Sequence, residues 1–316
     1  MSRRVDIVMA TYNGEPYIHE QLQSILWQDY ENFRLLIHDD GSSDNTVEEI
    51  RKFEKEYPEK VKFIDDGISF RDPKRNFEHL LKMTDADFVF LSDQDDIWLP
   101  SKVSLMVNKL EELENRYGKN TPILVFSDYA ILNKFGMIAS KSISQASGVD
   151  PRKITLEFLL NRNIISGFSA AVNNAAVKAA IPIPAQAIMH DWWLALICAA
   201  TGRVEFVPQV MSLYRLHESN TIGVPAETKK KRILDVISSP ISSAKSFRRR
   251  GPLVIEQSKV LLNHLKDITV DENSISVVSD YIEYRTHFFR NALRNFHRFA
   301  ADSWILEVIR IVLWSL

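Results

Sequence analysis

Three acidic residues crowd into four consecutive positions in the first third of the chain. Asp93, Asp95 and Asp96 follow directly after Phe88–Leu91, a wholly apolar run that is typical of a strand buried on both faces. Two carboxylates about 4 Å apart repel by roughly 4 kcal/mol at an effective dielectric constant near 20. Such a cluster takes up a proton, pairs with cationic side chains or binds a metal, and no Lys or Arg follows it before Lys102. Oxygen ligands without cysteine indicate a hard divalent ion, Mg²⁺ or Mn²⁺.

The same acids also fit a simpler structural role. Pro100 suits the first turn of a helix, and carboxylates are favourable near a helix N-terminus. A solvated acidic turn before that helix would need no metal. The spacing alone leaves both interpretations open.

Composition sets the limits on size and compartment. The chain has 316 residues, of which 45% are apolar, enough for one large or two medium-sized domains. The single cysteine, Cys198, excludes an intramolecular disulfide and suits a reducing compartment. No segment reads as a secretory signal, and no apolar stretch of about 18 residues runs without a charge. We therefore expect a cytoplasmic protein.

Charge is spread unevenly along the chain. Residues 226–316 hold 15 Lys and Arg against 10 Asp and Glu, whereas residues 1–225 hold 24 against 31. This asymmetry predicts a boundary near Pro225, with a catalytic domain over residues 1–224 and a basic helical region over residues 225–316. It also suggests a partner for the basic region.

The elements before the acidic cluster alternate between strands and helices. Apolar, strand-like runs lie at Val5–Ala10, Phe33–Ile37, Val61–Ile64 and Phe88–Leu91, and helical patterns separate them. This alternation is typical of an α/β domain with a mostly parallel central sheet flanked by helices. The carboxyl ends of the strands then share one edge, where open sheets bind ligands.

Three polar loops converge at that edge: Thr11–Gly14, Asp39–Asp44 and Asp93–Asp96. No glycine-rich dinucleotide motif or P-loop is present. A nucleotide still fits, with the Tyr12 ring on a base, Asp40 accepting from a pyrimidine N3–H and a metal at Asp95 on the pyrophosphate. The second loop also reads as a tight turn in which Ser43 or Asp44 caps the next helix, and both roles are compatible.

Three motifs in this region, in their order, spacing and position after strands, resemble those of the family 2 glycosyltransferases of the GT-A fold. They are Ala10–Gly14 (ATYNG), Asp39–Asp44 (DDGSSD) and Asp93–Trp98 (DQDDIW), and the resemblance spans about residues 4–222. The third motif particularly resembles that of bacterial rhamnosyltransferases, which build cell-wall and O-antigen polysaccharides. The resemblance implies an inverting transferase that uses a UDP- or dTDP-sugar donor, such as dTDP-rhamnose, with Mn²⁺ or Mg²⁺.

The resemblance also implies a donor site. Its nucleotide-sugar contacts would be Thr11, Tyr12, Asn13, Asp40, Arg75, Asp93 and Arg215. Asp95 would ligate the metal. His217 would join it, because the run from Tyr214 to Asn220 resembles the family segment that approaches the diphosphate. A lone histidine is more often an ordinary hydrogen-bonded residue, but the adjacent Arg215 adds a group that pairs with a diphosphate.

The acceptor side begins at His190-Asp191-Trp192-Trp193, which opens a helix. The resembled family places its catalytic base at this acid, so Asp191 would deprotonate the acceptor hydroxyl, and Trp192 or Trp193 would stack on the acceptor sugar. Gly167, in a predicted strand over residues 164–172, would floor the acceptor pocket or mark a bulge. The structural alternative makes Asp191 a favourable charge at a helix N-terminus and both tryptophans core residues.

The basic region carries three groups of cations, at Lys229–Arg232, at Arg248–Arg250 and at every fourth residue from Arg290 to Arg298. The last predicted helix, Ser303–Leu316, is too short to span a bilayer. It would lie peripherally on the inner face of the cell membrane, as a lipid-linked acceptor favours, or pack on the catalytic domain or in a homo-oligomer. Nucleic acid is not expected, because no reading motif accompanies the basic residues.

Three functions remain open on these grounds. The first is a metal-dependent glycosyltransferase acting on a saccharide or lipid-linked acceptor. The second is a signalling receiver, although such domains are shorter and place their acid pair after the first strand. The third is a catalytically silent GT-A-like scaffold that binds a partner glycosyltransferase.

Overall fold

The computed structural model describes residues 2–217, 240–268, 271–286 and residue 299, with side chains in the second range from residue 250. The strands are β1 (Val5–Thr11), β2 (Phe33–Asp39), β3 (Val61–Ile64), β4 (Phe88–Ser92), β5 (Ile97–Trp98), β6 (Ile123–Leu132), β7 (Ile138–Ser140), β8 (Ala170–Asn173) and β9 (Arg203–Arg215). The helices are α1 (Glu15–Leu26), α2 (Thr46–Glu56), α3 (Pro73–Met83), α4 (Lys102–Tyr117), α5 (Ile143–Ser147), α6 (Leu156–Asn161), α7 (Asn174–Ala180), α8 (His190–Thr201), α9 (Pro240–Asp267) and α10 (Glu272–Thr286).

All the described strands belong to one curled sheet in the order β3-β2-β1-β4-β8-β6-β9-β5, and β7 pairs with β6. Strands β3, β2, β1 and β4 are parallel, as the strand–helix alternation predicts. Beyond them the sheet is mixed, because β8 runs antiparallel to both of its neighbours while β6 and β9 are parallel. The α/β class with a central sheet and flanking helices is confirmed, and the parallel pairing is confined to fewer strands than expected.

Strand β4, which carries the acidic cluster, is buried on both faces as predicted. Val89 and Leu91 pack into one hydrophobic cluster with helices α3, α6, α7 and α8. Phe88 and Phe90 point into a second cluster with helices α1 and α4. The alternation of side chains along a strand places successive residues on opposite faces, so both layers of helices fix the end of β4.

Two predicted elements take a different form. The strand predicted over residues 164–172 begins only at Ala170, because Gly167–Ser169 form a 3-10 turn. Apolar runs at Val204–Val207 and Met211–Tyr214 predict two closing strands, but the structure has one long strand, β9, whose register against β6 shifts between Ser127 and Tyr129. The shift lies opposite Pro208, which has no N–H to donate to a ladder and is tolerated at such irregularities.

The described part of the basic region packs on residues 2–217. Val254, Leu261 and Leu265 of α9 and Val278 of α10 belong to the same hydrophobic cluster as the strands and α8. Among the described helices, none combines the length and apolar character needed to cross a membrane. Four features of the predicted basic region lie outside the described residues. They are the cations of Lys229–Arg232, the side chains of Arg248 and Arg249, the Arg290–Arg298 series and the helix predicted at Ser303–Leu316. The proposed boundary near Pro225 stays a prediction.

Candidate active site

A cleft of about 990 Å³ opens where β1, β2 and β4 end and where α8 begins. Most of the predicted site residues line it, namely Thr11, Tyr12, Asn13, Asp40, Asp93, Asp95, Gly167, Asp191, Trp192 and His217. Its size is that of a typical small-molecule site. The three polar loops therefore meet in one cavity, as the sheet topology predicts.

The loop after β1 is hydrogen-bonded to the loop after β2 and to the first residue of α2. The Asn13 carboxamide oxygen accepts from the Ser43 N–H at 2.8 Å, and the Gly14 N–H donates to the Thr46 hydroxyl at 2.8 Å. Asn13 has a φ of +47°, in the left-handed region that asparagine tolerates. The Tyr12 ring stays 56% exposed beside the cleft, so one face is free for a flat ligand.

Gln94 joins the first and third loops, a role that the sequence reading missed. Its carboxamide donates to the Tyr12 carbonyl and accepts from the Tyr12 N–H, both at 2.8 Å. The side chain thus pairs with the backbone of residue 12 as a strand would. A Cβ on residue 14 would overlap the Gln94 carboxamide, so the close approach requires Gly14.

The Asp40 carboxylate organises the segment that leads into α3. It accepts the backbone N–H groups of Phe70, Arg71 and Asp72 at 2.5, 2.8 and 3.0 Å. Two of these bonds fall on Oδ1 and one on Oδ2, which leaves Oδ2 with acceptor capacity for a ligand N–H. The same segment brings Arg71 into the cleft lining.

The acids of the third loop are largely withdrawn from water. Burial, together with the charges of Asp95 and Asp191, raises the pKa of Asp93 to about 8. Asp96 is fully buried, and burial followed by the charges of Asp95 and Asp93 raises its pKa well above the usual value. Asp93 therefore favours the protonated form at neutral pH, one of the three outcomes expected for crowded carboxylates, and the pKa of Asp96 is shifted in the same direction.

Lys102 is the buried cation facing this cluster. Its ammonium donates to the Phe168 carbonyl and to the Ser212 hydroxyl, and it lies 3.8 Å from the centre of the Trp98 ring. Burial lowers the pKa of Lys102 to about 7, although Asp96 and Asp93 raise it. Lys102 lies in the first turn of α4. Its separation from the acids along the sequence does not show that its side chain faces them.

Asp95 and His217 form the candidate metal-binding pair. The His217 Nε2 lies 2.7 Å from the Asp95 Oδ2, and the histidine ring stacks on Tyr17 at 4.5 Å between centroids. A carboxylate oxygen and an imidazole nitrogen held together suit Mn²⁺, whereas Mg²⁺ prefers oxygen alone. The residues therefore fit the divalent ion that the sequence resemblance implies.

Asp191 lines the same cleft, in the first turn of α8. Its carboxylate accepts the N–H of Gly167 at 3.1 Å and that of Trp192 at 2.5 Å. Burial raises the pKa of Asp191 to about 6, and these backbone bonds limit the rise. A carboxylate with a pKa just below neutrality has the proton affinity that a general base needs.

His190, which the sequence reading passed over, also lines the cleft. Its ring stacks on Phe77 at 3.8 Å, and neither ring nitrogen has a hydrogen-bond partner among the residues that the structure describes. Burial lowers the pKa of His190 to about 3, so the imidazole is neutral. A buried neutral imidazole with both nitrogens unpaired offers one donor and one acceptor to a bound ligand.

Three predicted residues lie away from the cleft lining. Arg75 pairs with Glu78 and donates to the Ile183 carbonyl at 2.8 Å, and Arg71 occupies the place beside the cleft instead. Trp193 is fully buried and donates to the Ala180 carbonyl at 2.9 Å, which leaves it no surface for an acceptor sugar.

Arg215, the third, lies behind the metal-binding pair. Its guanidinium donates to the Asp95 carbonyl at 3.2 Å and pairs with Glu20 at 2.6 Å.

Among the predicted acceptor contacts, Trp192 lines the cleft although it is 3% exposed, and its indole N–H donates to the Leu159 carbonyl at 2.7 Å.

Comparison with known sequences identifies relatives among glycosyltransferases. Residues 6–120 match the family model described as glycosyl transferase family 2. The dTDP-rhamnosyl transferase RfbG of Shigella flexneri is 28% identical over 237 residues, covering 71% of this chain and 76% of that protein. The glucosyltransferase WfgD of Escherichia coli, named for a UDP-Glc donor and a GlcNAc-diphosphoundecaprenol acceptor, is 28% identical over 156 residues, 49% of this chain and 54% of that protein.

Solved structures show the same fold. TarS 1-349 of S. aureus in complex with UDP-GlcNAc superposes with a TM-score of 0.60 at 16% identity, covering 93% of this chain and 75% of that one. The mannosyltransferase PcManGT of Pyrobaculum calidifontis, in complex with GDP-Man and Mn²⁺, gives 0.55 at 14% identity and covers 100% and 88%. Residues 6–120 thus match glycosyl transferase family 2, and the described residues of this chain adopt the GT-A fold.

Proposed function

We propose that this protein is an inverting, metal-dependent glycosyltransferase that moves a sugar from a UDP- or dTDP-sugar to a saccharide or lipid-linked acceptor in bacterial surface polysaccharide synthesis. L-Rhamnose is the proposed sugar, supported by the similarity to RfbG and by the DQDDIW motif. The observation that carries the proposal is that Asp40, Asp95 and Asp191 line one cleft, with the pKa of Asp191 raised to about 6.

Each wall of the cleft has a separate task in the proposed reaction. Tyr12 and Asp40 orient the base, and the loops that hold them are already fixed by hydrogen bonds, which lowers the entropic cost of positioning the donor. Asp95 and His217 would hold Mn²⁺, which supplies positive charge to the diphosphate when it is bound. Arg215, directly behind Asp95, adds a permanent cation on that side.

Asp191 performs the proton transfer. The acceptor hydroxyl oxygen attacks the anomeric carbon of the donor while the Asp191 carboxylate takes its proton. The bond between that carbon and the diphosphate oxygen breaks, and its electron pair leaves with the nucleoside diphosphate. Attack on the face opposite the leaving group inverts the anomeric configuration, as in single-displacement glycosidases.

A direct assay tests the proposal. The protein is incubated with dTDP-rhamnose, UDP-glucose and UDP-GlcNAc, with Mn²⁺ or with EDTA, in the presence of a lipid-linked saccharide acceptor, and release of nucleoside diphosphate is measured. We expect metal-dependent turnover with at least one donor, and a loss of about 10²- to 10⁴-fold in Asp191→Asn. Asp150→Asn is the matched control, because Asp150 pairs with Arg152 and lies outside the cleft lining.

Two results would count against this function. Absence of turnover and of donor binding across the panel would favour the silent scaffold. Full activity in Asp191→Asn would remove the base from the mechanism while leaving the donor site intact.

A further inference from the structure

Two histidines and an aspartate meet behind the wall of the donor cleft. His38 lies near the end of β2, Asp66 follows β3, and His79 lies on α3. One potential ligand atom from each lies within 4.8 Å of the other two. The His79 Nε2 is 2.7 Å from the Asp66 Oδ2, and the His38 Nε2 is 3.3 Å from the Asp66 Oδ1. None of the three lines the donor cleft.

The hydrogen bonds of Asn76 fix the tautomer of a neutral His38 ring. The Asn76 amide nitrogen donates to the His38 carbonyl at 3.2 Å, so the Asn76 oxygen is the atom that faces the His38 Nδ1 at 2.7 Å. An oxygen acceptor there requires the proton on Nδ1. In the neutral ring the Nε2 lone pair then points at a carboxylate oxygen. Two lone pairs at this distance repel unless a positive species lies between them.

We propose that His38, Asp66 and His79 bind a divalent transition-metal ion, with Zn²⁺ as the best-fitting cation, at a site separate from the donor-site metal. Two imidazoles and one carboxylate are ligands that Zn²⁺ prefers over Mg²⁺ and Ca²⁺. Tetrahedral ligands about 2.0–2.1 Å from Zn²⁺ lie about 3.3 Å apart. The His38–Asp66 pair is already at 3.3 Å, whereas the His79–Asp66 pair, at 2.7 Å, would have to move apart on binding the ion.

The surroundings support a metal rather than a bare proton. Metal-bound histidines usually donate their second ring N–H to a fixed oxygen, as His38 does to Asn76. His38 is 1% exposed, whereas the Asp66 and His79 side chains are 29% and 17% exposed, which leaves a route from solvent and room for a water ligand. The ring of Phe70 packs against both histidines, with ring centroids 5.8 Å from His38 and 5.3 Å from His79.

The site is connected to the donor cleft through one short segment. Asp66 accepts the Ile68 N–H at 3.0 Å, and the chain then runs to the N–H groups of Phe70, Arg71 and Asp72, which bind Asp40. A cation at Asp66 would hold the start of this segment in place. We therefore expect it to tighten nucleotide binding at Asp40, a consequence that rests on the proposed function, whereas the metal binding itself does not.

The test measures Zn²⁺ bound after equilibrium dialysis, with Co²⁺ absorption in the visible as a second probe. The parent chain carries Asp95→Ala, which removes the donor-site ligand. We expect about one equivalent of Zn²⁺ in this parent and binding weakened by at least about tenfold in Asp95→Ala/His79→Gln, because glutamine keeps a donor to Asp66 but no imidazole. Asp95→Ala/His19→Gln is the control, since His19 is an exposed histidine that also faces a carboxylate, Glu49.

Two results would overturn the site. Equal Zn²⁺ affinity in the His79→Gln and His19→Gln chains would locate the metal elsewhere. No Zn²⁺ in the folded parent chain, with the fold checked by circular dichroism, would mean that hydrogen bonds alone hold the cluster together. Both measurements are independent of turnover, so failure of the proposed transferase activity would leave them interpretable.

Discussion

Asp191 is placed where burial and base catalysis make opposite demands. Burial penalises its charged form and raises its pKa to about 6, while the N–H groups of Gly167 and Trp192 keep that pKa from rising further. A base must be ionised to act. We expect the transfer rate to rise with pH, with a slope near one on a logarithmic scale below about pH 6, and to level off above it. Initial rates at saturating donor from pH 5 to 7 measure this, and a rate that falls over that range would exclude Asp191 as the base.

The same shift has a consequence for stability. An aspartate whose pKa is raised on folding contributes stability below its unfolded pKa of 3.8, and this contribution is lost as the pH rises through the folded value near 6. Asparagine does not titrate, so the Asp191→Asn chain does not lose this stability as the pH rises. Its free energy of unfolding, relative to the natural chain, should therefore improve by about 2.4 kcal/mol between pH 4 and pH 7. Urea denaturation at both pH values measures the change, and a pH-independent difference would contradict the shifted pKa.

Single residues show how far sequence could define the site. Asp40, Asp95 and Asp191 lie within recognisable sequence motifs, and all three line the cleft. Trp192 and Trp193 are adjacent on a helix and so point about 100° apart, which sends one toward the cleft and the other into the core. Which of two neighbours faces the ligand depends on helix rotation, and no local pattern encodes it. Arg71 and Arg75 differ because Arg71 lies in the loop before α3, beside the cleft, whereas Arg75 is on the helix and turns to Glu78 and the Ile183 carbonyl.

Loops are the elements that convert these residues into a site. The Gln94 carboxamide bonds to both polar groups of the Tyr12 backbone, and Gly14 leaves the space it occupies. Gly14→Ala would displace Gln94 and break two hydrogen bonds, each worth about 0.5–1.5 kcal/mol. We expect it to weaken donor binding by about tenfold or more, because Tyr12 loses its support.

A double-mutant cycle isolates this contact. In the Gln94→Ala background the methyl group that Gly14→Ala introduces meets no carboxamide, so this substitution should cost far less there than in the natural chain. Donor affinity measured by calorimetry for the four chains gives the coupling. Additive effects would mean that Gly14 is needed for another reason.

The elements themselves were predictable where local pattern decides them. The parallel strands, α1 and α8 follow from apolar runs and helix-start signals. The 3-10 turn at Gly167–Ser169 and the long β9 do not, because their form depends on long-range partners: the Gly167 N–H binds Asp191, and β9 follows β6 along its whole length. Pairing with β6 keeps β9 continuous, although Pro208 locally favours an interruption of the strand.

At the scale of the whole molecule, the described C-terminal helices belong to the catalytic core. Leu261 of α9 is fully buried in the cluster that includes strand and α8 residues. Leu261→Ala should lower the free energy of unfolding by about 2–5 kcal/mol. Leu253→Ala, on the same helix but 52% exposed, should change it by less than about 0.5 kcal/mol. Equal, small effects in chemical denaturation would indicate that α9 is only loosely attached.

One hydrogen bond links α9 to the segment just before the helix that bears Asp191. The Gln257 side chain of α9 is 1% exposed and accepts the Ile188 N–H at 2.8 Å, two residues before the helix that bears Asp191. Chimeric chains made by grafting the tail of a relative onto residues 1–224 would therefore need an acceptor at this place to keep the acceptor-side wall in register. An experiment that exchanges these tails would therefore test two things at once. One is whether the tail directs the chain to a membrane, and the other is whether the helix that bears Asp191 keeps its position.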